Sequence, residues 1–303
     1  MPGRKRCNQL DGKTWTRYSI SVWSDLRKET AEIKLKHPAS FPLEMARRCI
    51  EIFTAGDGEL VLDPFAGSGT TLMAAWELGR WGIGLELYPE YVELFNRRFQ
   101  QEAAAPAQET RPPGGKRGTG LAEVPREKNR EKNLFDQPVG GSICQKPRMI
   151  LDDARNMQLY LQPGEVDLVL TSPPYWDIMQ SRRSADRKEP RPYGESAQDL
   201  GRLEGYRVYL QQLCQIFKQV YRVLKNGGYC LVVVMDLRKR NRFYPLHLDL
   251  TYHLERLGFA LDDIIIWDRR HEYNRLRPLG YPAVFRVNKV HEYLLIFKKE
   301  PTG

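Results

Sequence analysis

The chain is poor in cysteine and arranges none of it for metal or redox work. Its five cysteines (Cys7, Cys49, Cys144, Cys214 and Cys230) are scattered over 303 residues, with no CxxC pair and no histidine set beside them. That pattern argues against a structural zinc or a disulfide framework and fits a reducing compartment. Histidine is equally sparse. His247, His253, His271 and His291 stand at no metal-ligand spacing, so each is expected to pack or cap, and no metal is expected. No apolar run approaches the roughly 20 residues of a membrane helix. The opening MPGRKRC lacks the apolar core of a secretory signal. A soluble, cytoplasmic protein without a membrane partner is therefore expected.

What is present is room for a core and a surplus of positive charge. Hydrophobic residues make up 41% of the chain, the net charge is +9 and the pI is near 9.3, a balance compatible with a polyanionic partner. The stretch that organises the rest is VDLVLTSPPYW, Val166 to Trp176. Its apolar start suits a parallel strand buried on both faces, and ligands of such sheets sit beyond the carboxyl ends of the strands. Pro173 and Pro174 fix φ, and Pro174 holds its predecessor extended, so the loop is stiff. The Ser172 hydroxyl and the Pro173 carbonyl are set to accept both hydrogens of an exocyclic amine on a planar ring. Tyr175 would offer that ring a flat face. This is positioning and charge placement, with no covalent intermediate. The plainer alternative is a Pro-Pro turn with Tyr175 in the core.

Residues 1–36 read as a basic N-terminal arm in which Trp15, Tyr18, Ile20, Val22 and Trp23 suit a strand or an apolar cover for the domain. HPASFP, His37 to Pro42, opens a helix with Ser40 as its cap and Leu43, Ala46, Ile50 and Phe53 at helical spacing. Leu60–Asp63 is a strand, Pro64–Gly69 a glycine turn, Thr70–Leu78 a helix, and Gly82–Leu87 a strand carrying Glu86. This is the order of a nucleotide-type cofactor site, with its acid about 20 positions after the turn. Gly67 and Gly69 would let the backbone approach a ligand and aim N–H groups at it from a helix start. Glu86 suits two ribose hydroxyls. The glycine spacing is not that of pyrophosphate cofactors, and no lysine follows the turn to make a triphosphate loop.

After a helix from Pro89 to about Gln101, residues 102–147 are rich in Pro, Gly and charge and show no apolar period. Such a segment cannot bury enough surface to offset its ordering, so a disordered surface insertion is expected. Arg148–Asp153 is a third strand ending in Asp152 and Asp153, placed to cap the next helix or to accept from a cofactor amine. Residues 177–203 form a first basic loop. Tyr206–Leu224 is an amphipathic helix stopped by Asn226-Gly227-Gly228, and Tyr229–Met235 a strand. A second basic loop (236–242), a helix (His247–Leu257), a strand (Leu261–Trp267), a third basic loop (268–288) and a last strand (Glu292–Lys298) complete the chain. Seven strands, five in βα alternation and a closing pair without a helix, fit a Rossmann-like α/β fold. Its sheet is doubly wound and mostly parallel, with one antiparallel strand.

Together, HPASFP, DPFAGSGTT, GIGLELYPEY, the acidic third strand and TSPPYW resemble the S-adenosylmethionine-dependent DNA amino-methyltransferases, which act on cytosine N4 or adenine N6. The likeness runs from about His37 to Lys298, outside 102–147. It implies a methyltransferase domain over 37–303. Within it, Phe41, Asp63, Phe65, Gly67, Gly69 and Thr70 would wrap the methionine part of S-adenosyl-L-methionine. Glu86 would take the ribose and Asp153 the adenine amine. Ser172, Pro173, Pro174 and Tyr175 would grip a base flipped from double-stranded DNA. A serine at the first catalytic position is more usual among the cytosine enzymes. No separate recognition domain is evident, so the basic loops are expected to hold the duplex. The sequence leaves open the site read, a companion restriction endonuclease and the oligomeric state. Three other readings stand beside this one: a same-fold enzyme acting on RNA bases or a protein glutamine, a nicotinamide-dependent enzyme, and a DNA-binding module without catalysis.

Overall fold

The computed structural model describes residues 6–34, 40–104, 146–177, 194, 196–273 and 276–300. Most of the expected insertion, much of the first basic loop, and His37–Ala39 lie outside those residues. The chain begins with helix α1 (Gly12–Tyr18), capped by the Asp11 carboxylate, which accepts from the N–H groups of Lys13 and Thr14. A two-residue strand β1 (Val22–Trp23) and a short helix α2 (Thr30–Lys34) follow. Helix α3 (Leu43–Phe53) starts at Pro42 with no cap from its own segment. Its first N–H, from Leu43, is instead taken by the Glu32 carboxylate of α2 at 2.7 Å. The expected cap Ser40 accepts from Lys28 Nζ at 3.0 Å instead, because the buried Glu32 is the stronger acceptor within reach.

Strand β2 (Leu60–Asp63), helix α4 (Thr70–Glu77), strand β3 (Trp81–Glu86), helix α5 (Pro89–Ala104) and strand β4 (Arg148–Leu151) wind in one direction, with β2, β3 and β4 paired parallel. Strand β5 (Val166–Thr171) then pairs on the opposite side of β2. The winding reverses there, and the carboxyl ends of β2 and β5 open a crevice between them. Helix α6 (Tyr206–Val223) leads straight into strand β6 (Leu224–Val234). The expected stop at Asn226-Gly227-Gly228 therefore lies inside a strand. It forms an irregularity where the β5–β6 register shifts between Val166 and Leu168, with Gly227 at φ 79°. Gly227 marks a bulge rather than a helix end, as glycine does inside strands.

The second basic loop is a hairpin, strand β7 (Leu237–Lys239) against strand β8 (Arg242–Tyr244), turning at Arg240 and Asn241. Helix α7 (Leu246–Arg256), strand β9 (Phe259–Asp268) and strand β10 (His291–Lys299) follow. The large sheet runs β1-β9-β10-β6-β5-β2-β3-β4, with β10 antiparallel to both of its neighbours. It contains the seven expected strands, and β1 extends its edge by pairing parallel with β9.

Side chains alternate across the sheet as the period of a strand requires. Val61, Leu168, Leu170, Leu231 and Val233 face α3, α4 and α5. Leu62, Val169, Cys230, Val232 and Leu295 face α6 and α7. The arm joins the first of these cores through Trp23, which is fully buried and donates its Nε1–H to the Tyr18 carbonyl. Arg48 stacks over both the Trp23 and Tyr18 rings and forks onto Asp25. Among the described residues no helix is long and apolar enough to cross a membrane.

Candidate active site

Beyond the carboxyl ends of the parallel strands lies an open cleft of about 650 Å³. The turn after β2 contributes Pro64, Phe65 and Gly67, β3 contributes Glu86, the end of β4 contributes Asp152 and Asp153, and the loop after β5 contributes Ser172 and Pro174. Motifs separated by about a hundred residues of sequence thus share one wall, because the winding reverses between β2 and β5.

The cleft is rich in acceptors. Among the described residues, Glu86, Asp152, Asp153 and Asp199 line it, against one cation, Arg155. Glu86 is buried and holds the glycine turn in place, accepting from the Gly67 N–H at 2.8 Å and the Tyr88 N–H at 2.9 Å. The Gly67 N–H thus serves the protein's own acid and is not aimed at a ligand. Burial raises Glu86 to about 7 despite those bonds. Asp153 caps the 3₁₀ turn Ala154–Leu159 and is gripped by the Arg155 backbone and guanidinium. Asp199 had no motif to signal it. Its carboxylate accepts from the Tyr88 hydroxyl at 2.9 Å and the Gly201 N–H at 2.7 Å. Walls of this kind receive hydroxyls, amines and cations and repel phosphate.

Phe41, Asp63, Gly69, Thr70, Pro173 and Tyr175 do not line this cleft; they stand behind it. Phe41 is packed with α3 in the core. Asp63 is 3% exposed, and its two oxygens accept from Thr71 Oγ1 (2.7 Å), Thr171 Oγ1 (2.6 Å) and the Phe65 N–H (3.0 Å). It ties the ends of β2 and β5 to the start of α4. Burial raises it to about 6. Carboxyls raised by burial favour the folded state most when protonated. Their contribution is full below about 4 and is lost as pH rises through about 6 to 7. Gly69 caps α4 at φ 77°, and a Cβ there would meet Phe95 at 2.2 Å, so its smallness serves helix packing. Thr70 is buried in the first turn of α4.

Tyr175 differs most from expectation. Its ring is in the core, 8% exposed, and its hydroxyl lies 2.7 Å from Glu292 Oε2 on β10 and 3.0 Å from Ser172 Oγ. A phenol carries one hydrogen, and the carboxylate is the strongest acceptor available, so that hydrogen goes to Glu292. Ser172 must then donate to Tyr175, which leaves the serine lone pairs free on the cleft side. The Pro174 carbonyl is not free either, since Trp176 N–H (2.9 Å) and Tyr209 Oη (2.8 Å) both donate to it. Glu292 is in turn paired with Arg269, which stacks on Trp267 and also reaches Glu272. Neither Glu292 nor Arg269 was flagged by a local motif, and the contact of Glu292 with Tyr175 spans 117 positions.

A family model described as DNA methylase (N6/N4 methyltransferase) matches residues 4–97 and 166–303. Type II methyltransferase M.ScaI of Streptomyces caespitosus is 32% identical over 101 residues, 33% of each chain. Type II methyltransferase M.MjaI of Methanocaldococcus jannaschii is 30% identical over 173 residues, 52% of this chain and 57% of that one. The chain therefore spans between a third and somewhat over half of these two relatives. Among solved structures, TTHA0409 of Thermus thermophilus complexed with S-adenosyl-L-methionine superposes with a TM-score of 0.34 at 28% identity, covering 50% of this chain and 52% of that one. TrmN of Thermus thermophilus gives 0.49 at 15% identity over 88% and 52%. At those scores neither superposition bears on function.

Proposed function

The chain belongs to the DNA methylase family of N6/N4 methyltransferases, and on that footing we propose that it methylates an exocyclic amine of a base in double-stranded DNA, cytosine N4 ahead of adenine N6, using S-adenosyl-L-methionine. The observation that carries this reading is the shared cleft: Gly67 and Glu86 face the same space as Ser172 and Pro174. Among the described residues, its four carboxylates against one guanidinium suit a cofactor with ammonium and sulfonium charges and hydroxyls to donate. They disfavour the pyrophosphate of a nicotinamide cofactor, so the donor set fits the former. Phe65, Gly67, Glu86 and Asp153 would hold it, with Phe41, Asp63, Gly69 and Thr70 fixing the turn and helix behind. When bound, it supplies a methyl group already activated on sulfur.

The protein's own work is orientation; the proton that the amine nitrogen must shed once it has taken the methyl group is released to water. A duplex hides its amines in the stack, so the target base must swing out to reach the ledge formed by Ser172, Pro173 and Pro174. The Ser172 oxygen, turned to the cleft by its bond to Tyr175, accepts one amine hydrogen, while Pro173 stands behind the cleft and stiffens the ledge. The amine lone pair is thereby withdrawn from the ring and made nucleophilic. Tyr175 acts here as the anchor of Ser172 through its hydroxyl, not as a stacking platform.

The reading is tested by supplying labelled S-adenosyl-L-methionine with duplex DNA, transfer RNA or protein, and by sequencing the DNA with modification detection. N4-methylcytosine at a fixed sequence is the expected product. N6-methyladenine would correct the base, and label in RNA or protein alone would overturn the proposal. Ser172→Ala is expected to lower kcat roughly a hundredfold while cofactor binding is unchanged, the cost of losing one polar partner of the reacting group.

Glu86 adds a pH dependence. Its proton is half lost near pH 7, and the protonated form accepts hydroxyl hydrogens poorly. Cofactor affinity measured by calorimetry is expected to fall as pH drops from about 8 to about 6. Glu86→Gln should bind about tenfold more weakly at about pH 8, the loss of one charge-assisted bond, and show no such slope.

A further inference from the structure

The 237–243 hairpin and the 276–290 segment carry seven lysines or arginines and no acid. They are knit together. Arg286 donates from its guanidinium to the Arg240 carbonyl (2.9 Å) and Asn241 Oδ1 (2.7 Å) at the hairpin turn, and Lys289 Nζ sits 4.5 Å over the Phe243 ring. The hairpin is joined to the catalytic loop by Lys239, which pairs with Asp177 and lies 4.5 Å over the Trp176 ring, next to Tyr175. On this cationic unit Phe285 is 92% exposed, beside the half-bare Val284 and Val287. A phenyl ring left in water inside a predominantly basic surface is matched by a polyanion that also offers apolar flat faces, which is duplex nucleic acid.

We infer that this unit is the part of the protein that opens the duplex, with its cations on the phosphates and Phe285 entering the base stack where the target base leaves. The hairpin's contact with Trp176 then sets the opened position against the Ser172–Pro174 ledge. A wedge offsets the stacking lost when a base is extruded.

This inference rests on the DNA reading above, and the experiment separates the two. Duplex oligonucleotides carrying the site found by modification sequencing are compared in two forms, one fully paired and one mismatched at the target base, which needs less help to open. Phe285→Ala is expected to cut methyl transfer about tenfold or more on the paired duplex. It should stay near the unmodified protein on the mismatched one, with DNA affinity changed less than about threefold, and Phe285→Trp should restore the paired rate. Equal activity of Phe285→Ala and the unmodified protein on both duplexes overturns the wedge, as does an equal loss on both. If the unmodified protein methylates no DNA, the DNA reading falls and the wedge with it. The exposure of Phe285 means its replacement leaves the fold intact, which thermal melting checks.

Discussion

Glu292→Ala is expected to lower the stability of the protein by about 3–5 kcal/mol, because it leaves a largely buried arginine without its nearer counter-charge. Glu292 is 6% exposed and Arg269 17% exposed, so water replaces little of what is lost. Chemical denaturation should read the effect as a fall in midpoint with an unchanged slope. The milder Glu292→Gln keeps an oxygen for the Tyr175 hydroxyl but no charge. It is expected to cost less stability than Glu292→Ala, because the amide still bonds both partners although Arg269 loses the same charge, and to lower kcat about tenfold with KM for the cofactor unaltered. Tyr175→Phe, which deletes the link to Ser172 and keeps the ring, should give the same loss of kcat. The double variant Tyr175→Phe/Glu292→Gln should lose no more than either single variant, since all three side chains act in series. Additive losses would show that Glu292 does not act through Tyr175.

The second large effect is expected at the glycine turn. Gly69→Ala sets a methyl group 2.2 Å from the Phe95 ring on a backbone held at φ 77°, and Phe95 is fully buried. Left-handed strain and overpacking together should cost about 2–4 kcal/mol. The accompanying test is relief: Phe95→Ala, destabilising by itself, should make Gly69→Ala nearly neutral apart from the backbone strain. If Gly69→Ala melts like the unmodified protein and only loses cofactor binding, the glycine serves the ligand and not α5.

These two positions also show where the sequence is legible and where it is not. The glycine was visible, and so was the need for closeness, but a one-dimensional pattern cannot say what comes close. The turn suggested a ligand, and the structure gives the Phe95 ring. Strands were readable because burial on both faces leaves continuous apolar runs such as Leu60–Leu62 and Val166–Leu170, and β10 was placed because no helix separates it from β9. Boundaries were less so. Asn226-Gly227-Gly228 carries the chemistry of a helix stop and also that of a bulge, and only pairing with β5 decides between them. Ser40 has a good capping side chain, yet Glu32 from another helix takes the role. Of the expected site, Phe65, Gly67, Glu86, Asp153, Ser172 and Pro174 were legible as cleft residues because each sits at the end of a recognisable strand. Asp199 and Glu292 were not, since their partners are brought to them by tertiary packing alone.

Strand β10 has one more consequence, for the order in which the molecule becomes competent. It is the wedge that joins two blocks of sheet, β6 on one side and β9 with β1 on the other, and it delivers Glu292 to the serine ledge. A growing polypeptide that has emerged only as far as β9 already holds every residue lining the acidic crevice. It lacks the group that turns Ser172 outward until its closing stretch inserts between strands already made, a late, long-range closure. Until that strand is in place the crevice has its lining but Ser172 has no anchored partner.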